Sequence, residues 1–127
     1  MGSFNDEELD YLLGERRLGR LATVDVAGQP HVVPVGKWRY NSEIDTIDVS
    51  GHDFAATRKF RNVQGNPKVA FIVDDLASVQ PWRPRAVMVQ GYAEALGPPT
   101  GDDDSGAAMI RIKPDKVISW GLDAAER

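Results

Sequence analysis

Residues 50–62 read Ser50-Gly51-His52-Asp53-Phe54-Ala55-Ala56-Thr57-Arg58-Lys59-Phe60-Arg61-Asn62, and residues 66–74 follow as Asn66-Pro67-Lys68-Val69-Ala70-Phe71-Ile72-Val73-Asp74. The first stretch opens with a polar turn at the end of an alternating apolar run. It continues as a short amphipathic segment carrying Arg58, Lys59 and Arg61. It closes through Gly65-Asn66-Pro67 into a second apolar run. A short helix held between two strands is the minimal reading. Residues 50–62 hold three basic residues against one acid, Asp53, in a chain of net charge -4. A local positive cluster in an acidic protein points to one particular anion and argues against general nucleic-acid binding.

Upstream, residues 4–16 read as a helix. Asn5 and Glu8 have the spacing of a capping box, and Phe4 with Leu9 that of a hydrophobic staple. Leu9, Leu12 and Leu13 would share its apolar face. Acids in the first turn, with Arg16 and Arg17 near the end, suit the helix dipole. From Leu18 the period changes from helical to alternating. Residues 18–25 are strand-like, and Ala27-Gly28-Gln29 is a turn with glycine where positive φ is wanted. Residues 31–40 read as one second strand. Pro34 lacks an N–H and marks an edge or bulge there. Residues 44–49 form a third strand, with Ile47 and Val49 apolar and positions 46 and 48 polar.

Asp53 is the expected cap of a helix running to about residue 63. Residues 68–73 are then a strand and 74–85 a loop. Residues 86–96 are a long strand bent at Gly91. Residues 97–106 are expected to be a mobile solvated loop. Residues 107–113 and 116–120 read as two last strands broken by Pro114-Asp115. About seven strands and two short helices in 127 residues predict one mainly β domain spanning 1–127. An antiparallel barrel protects that many strand edges.

Composition narrows the function classes. There are no cysteines, so disulfides and thiolate metal sites are excluded. Two histidines, His31 and His52, are too few for a histidine metal site and read as structural or solvent-facing. No apolar run reaches the roughly 20 residues of a membrane span. No signal pattern opens the chain, so the cytoplasm is the expected location. No nucleophile elbow or glycine-rich phosphate loop occurs. This fits an enzyme whose cofactor does the chemistry while the protein binds and orients.

Several segments together resemble a known family. They are Gly19-Arg20-Leu21-Ala22-Thr23-Val24 with Gly28-Gln29-Pro30-His31-Val32-Val33-Pro34-Val35, and Lys59-Phe60-Arg61-Asn62 with Asn66-Pro67-Lys68-Val69-Ala70. Gln90-Gly91-Tyr92-Ala93-Glu94, Trp82-Arg83-Pro84-Arg85 and Ile118-Ser119-Trp120-Gly121-Leu122-Asp123 complete the set. The chain resembles the pyridoxamine-5′-phosphate-oxidase-like superfamily, and within it the actinobacterial branch of deazaflavin (coenzyme F-420)-dependent oxidoreductases. The resemblance implies an antiparallel, Greek-key split β-barrel of the FMN-binding-protein-like type. It also implies a homodimer with cofactor clefts at the subunit interface, and a deazaflavin or FMN whose phosphate is held by basic residues of the central helix.

On that basis Lys59 is the leading phosphate ligand, with Thr57, Arg58 and Arg61 beside it and Ser50 at the preceding strand end. Val33, Pro34 and Val35 would lay backbone against a flat ring. Trp82, Arg83 and Arg85 would close over a cofactor tail, and Trp120 would pack on the ring or the dimer seam. Tyr92, Tyr40 or an ordered water would protonate product. The expected activity is hydride transfer to a small conjugated or quinone-like acceptor. FMN-dependent chemistry is the alternative, and a non-catalytic flavin, deazaflavin or haem carrier is the second alternative. No motif for a pyridoxal-phosphate substrate is present.

Overall fold

The computed structural model describes residues 2–97 and 108–122. Helix α1 (Asp6–Leu13) begins at the capping box. The Asn5 side chain accepts from the Glu8 N–H at 2.8 Å, and Glu8 accepts from the Asn5 N–H at 2.9 Å. The helix is shorter than expected because Gly14 ends it. Its buried face is Glu8, Tyr11 and Leu12, while Leu13 is 64% exposed. Arg16 and Arg17 therefore lie past the helix and do not serve its dipole.

Seven strands follow: β1 (Gly19–Val24), β2 (Pro30–Val35), β3 (Lys37–Asn41), β4 (Thr46–Ser50), β5 (Lys68–Ser78), β6 (Arg83–Leu96) and β7 (Met109–Trp120). Between β4 and β5 come a single 3-10 turn (Phe54–Ala56) and helix α2 (Arg58–Gly65). All strand pairs are antiparallel, in the order β2-β1-β5-β6-β7-β4-β3. The result is the curled sheet of a split β-barrel. Its interior is filled by alternate residues such as Leu21, Trp38, Ile47, Val49, Phe71, Val73, Val89 and Ile110, all 3% exposed or less.

Several element boundaries differ from the sequence reading, each for a physical reason. The expected strand 31–40 is two strands, broken at Gly36, which lie at opposite ends of the sheet. Pro34 is on the edge strand β2, where its missing N–H costs no ladder bond. The expected loop 74–85 is mostly strand, because Asp74, Asp75 and Leu76 pair with Ala86, Arg85 and Pro84. The two last strands are one. Pro114 pairs with Gly91 and Lys116 with Gln90, so Asp115 is the extra residue of a bulge. Gly91 makes that bulge possible, since a Cβ there would sit 2.1 Å from the Lys113 carbonyl oxygen. Thr46 and Asp48 are buried on β4 although polar. Asp48 accepts from Thr46 (2.9 Å), Asn41 (3.1 Å) and both ends of the Arg111 fork (3.1 Å each). The loop expected at 97–106 lies, beyond Gly97, outside the described residues.

One network ties α1 to the β5–β6 hairpin. Asp75 accepts from Arg85 at 2.8 and 2.6 Å, from Arg17 at 2.8 Å and from the Tyr11 hydroxyl at 2.8 Å. Burial works to raise the Asp75 carboxyl, but these hydrogen bonds outweigh it and hold it at about 2, against an ordinary 3.8. A depressed carboxyl stabilises the fold fully above its unfolded value and loses that contribution as pH falls through the folded one. Asp75→Asn is therefore expected to lower the melting temperature at neutral pH. The gap to the parent protein should close between pH 3.8 and about 2, measured by thermal melts across that range.

Candidate functional site

The corner at Gly36, the end of β4 and the start of α2 meet around a cleft of about 300 Å³. Pro34, Val35, Gly36 and Lys37 form one wall. Ser50, Gly51 and His52 form the second. Phe54, Thr57 and Lys59 form the third. The register explains the junction: Lys37 pairs with Ser50 across β3 and β4, so the strand end and the corner are held side by side by backbone.

Thr57, and not Asp53, caps α2. Its hydroxyl donates to the Phe54 carbonyl at 2.7 Å and accepts from the Phe60 N–H at 3.4 Å. Asp53 sits in left-handed backbone (φ 47) and makes no side-chain cap bond. The 3-10 turn displaces the helix start by several residues.

The structure brings together five of the twelve expected site residues: Pro34, Val35, Ser50, Thr57 and Lys59. The expected three-cation clamp does not form. Successive residues of an α-helix are turned by about 100°, so Arg58 and Arg61 lie near each other and away from Lys59. Arg61 turns back to donate to the Ala56 carbonyl at 2.7 Å, and Arg58 is solvent-exposed. Lys59 is half-buried, with its ammonium 5.2 Å from the centre of the Phe54 ring. Burial lowers its pKa. It forms no ion pair with a described residue.

The remaining expected residues lie elsewhere. Val33 is on the outer edge strand and does not line the cleft. Trp82 is 67% exposed at the tip of the β5–β6 hairpin, with Arg83 beside it. Arg85 is committed to Asp75. Trp120 is 44% exposed at the end of β7, opposite Ala86. Of the proton donors considered, Tyr40 donates to Asp45 at 2.9 Å. Tyr92 lines a separate 380 Å³ cleft whose charged lining residues are Lys68 and Asp115. His31 is held 3.0 Å from Asp25, and the His52 side chain is 95% exposed. Neither offers a buried axial ligand. Among the described residues no cluster could hold a metal ion, and no helix is long and apolar enough to cross a membrane.

Sequence reasoning missed Lys37, a second cation on the cleft that also has no ion pair with a described residue. The available signal was Gly36 two residues after Pro34, a combination that breaks a strand.

The family model for pyridoxamine 5′-phosphate oxidase matches residues 5–121. The chain belongs to that family. It is 42% identical over 124 residues to the 5a,11a-dehydrotetracycline/5a,11a-dehydrooxytetracycline reductase of Streptomyces rimosus, covering 94% of this chain and 84% of the relative. Among solved structures, an F420 reductase superposes with TM-score 0.63 at 23% identity, covering 86% of this chain and 94% of the other. A FAD-binding protein from Mesorhizobium loti superposes with TM-score 0.65 at 22% identity, covering 91% and 93%. Family membership together with the Streptomyces rimosus reductase makes this chain an oxidoreductase.

Proposed function

We propose that this chain is a deazaflavin (coenzyme F-420)-dependent reductase acting on a small, electron-poor conjugated or quinone-like acceptor. The carrying observation is Lys59, a partly desolvated ammonium at a 300 Å³ cleft with no ion pair to a described residue. Removing a cation from water is unfavourable unless an anion compensates it. A cofactor phosphate supplies that anion, so the residues present fit the group. Lys59 and Lys37 would hold the phosphate, Ser50 would donate to it, and the exposed backbone around Pro34 would border the ring. A reduced deazaflavin supplies a hydride when bound. The chain's part is to bind, orient and exclude water.

The acceptor class is supported by the Streptomyces rimosus relative, named for reducing a dehydrotetracycline. The deazaflavin is supported by the F420 reductase among the structural neighbours. FMN, with one phosphate, would satisfy Lys59 equally and is the second reading. We take the working unit to be a cytoplasmic homodimer with the cofactor cleft at its interface.

The test is a side-by-side titration with deazaflavin and FMN, followed by turnover with a panel of conjugated acceptors. Tighter deazaflavin binding with acceptor reduction is the expected result. Tighter FMN binding replaces the cofactor assignment. Binding without reduction of any acceptor makes the protein a carrier, and binding of neither overturns the reading.

A further inference from the structure

The helix that carries Lys59 is short. α2 spans Arg58–Gly65, about 12 Å of axis, and Phe60 and Val63 fasten it to the core. At about 100° per residue, both of these apolar side chains lie to one side of Lys59, by about 100° and about 40°. An apolar grip is non-directional, so on its own it leaves the helix able to roll about its axis. Asn62 lies on the other side of Lys59, about 60° away. It is buried, and its amide nitrogen Nδ2 donates to the hydroxyl oxygen of Thr23, a buried residue of β1, at 3.0 Å. Among the described residues this is the one side-chain hydrogen bond that joins α2 to the sheet. The exposed Arg58, Arg61, Gln64 and Gly65 fill the opposite face. Lys59 therefore sits in the middle of the inward face, with an apolar anchor on one flank and a single directional bond on the other. An apolar pair of the same shape would be nearly as stable as that bond. What the bond adds is direction.

We propose that Asn62, held by Thr23, is a positioning residue for Lys59: the bond sets the rotation of α2, and with it the aim of the ammonium into the cleft. The inference rests on the reading of Lys59 as the anion ligand and deepens it. Asn62 touches no cofactor and acts through the helix. A roll of about 20° moves an atom at the outer helix radius of about 6 Å by about 2 Å. Hydrogen-bond lengths vary by only about 0.5 Å, so that displacement breaks the contact to a bound phosphate. The lysine stem has little room to compensate, because it is half-buried with its ammonium over the Phe54 ring.

The test titrates deazaflavin and FMN by fluorescence quenching into the parent, Thr23→Ser, the paired variant Thr23→Val/Asn62→Leu, Lys59→Ala, and the paired change added to Lys59→Ala. Urea unfolding is measured on each. The paired variant replaces both partners by apolar groups of similar shape, so its unfolding midpoint is expected near that of the parent. Its affinity for the cofactor that the parent binds more tightly should fall about tenfold, the size of one charge-assisted contact. Thr23→Ser keeps the hydroxyl and should recover most of that loss. Added to Lys59→Ala, the paired change should alter affinity by less than about twofold, because a group that acts only through Lys59 then has nothing left to aim. If the paired variant does not fold, Thr23→Val alone, which removes only the acceptor oxygen, carries the same comparison. A tenfold loss in both backgrounds, an equal loss in Thr23→Ser, or parent-like binding by the paired variant overturns the positioning role and leaves the Lys59 reading standing. Parent-like binding by Lys59→Ala, or binding of neither cofactor by the parent, overturns the Lys59 reading and this inference with it.

Discussion

Lys59→Ala is expected to weaken deazaflavin binding by roughly ten- to a hundredfold. A hydrogen bond to a charged group contributes about 1.5–3 kcal/mol, and about 1.4 kcal/mol is a factor of ten in affinity. Lys59 belongs in that range and not in the surface-charge range, because it is half-buried and its ammonium is drawn over the Phe54 ring. A lysine in open water would lose much of its attraction to screening. Arg61→Ala is the contrast. Its guanidinium is bound to the Ala56 carbonyl on the far side of the helix, so its removal should change affinity less than about threefold, as for a distant exposed charge. Fluorescence-quenching titrations of both variants, with circular dichroism to establish folding, separate the outcomes. Parent-like binding by Lys59→Ala would remove the cleft from consideration as the anion site.

Phe71→Ala is expected to cost about 3–5 kcal/mol of folding stability, a large share of the roughly 5–15 kcal/mol typical of a whole domain. The Phe71 side chain is 1% exposed on β5. Its ring meets Trp38 edge-on at 5.5 Å, and it occupies the space over Gly19, where a Cβ would lie 2.5 Å from the ring. The contact joins β5, near one end of the sheet order, to β3 at the other. Alanine leaves a void that Gly19 cannot fill. Urea unfolding measures the loss. A change under about 1.5 kcal/mol would mean that the interior closes around the missing ring, as in well-tolerated core changes.

How far the sequence foretold this arrangement depended on whether the deciding signal was local. The Asn5–Glu8 capping box and the positive-φ Gly28 turn (φ 86) were legible because neighbouring residues decide them, and the Gly91 bend because a glycine inside a strand pattern marks it, although its partner is Lys113 across the sheet. An antiparallel barrel was legible from alternation and its split form from the resemblance, while the count of seven strands matched because one expected strand is two and two expected strands are one. The corner at Gly36 was missed although Pro34 and Gly36 signal a break there, because Trp38 and Tyr40 beyond it are as strand-like as the valines before it. The continuation of β5 past Asp74 was hidden as well. Asp75 is polar and looks like loop, but its partners Arg17, Arg85 and Tyr11 are distant in the sequence. The same limit applied to the site. Charge counting found the cluster 58–61 yet could not see that helical rotation parts Lys59 from Arg61, or that Lys37 arrives from another element.

The strand order has a consequence for how the polypeptide assembles. The β1–β2 and β3–β4 hairpins are both complete by Ser50, yet β1 and β4 are neighbours of β5 and β7, not of each other. Ile47 waits for Ile112, and Leu21 waits for Phe71. During synthesis from the N-terminus, the ribosome therefore releases two finished hairpins whose inner edges stay bare until the β5–β6–β7 meander arrives to wedge them apart. Pairings this distant slow folding, and bare edges recruit other chains. Nascent chains halted before β7 should be the most aggregation-prone species this protein ever populates, and those carrying β7 the first to resist proteolysis.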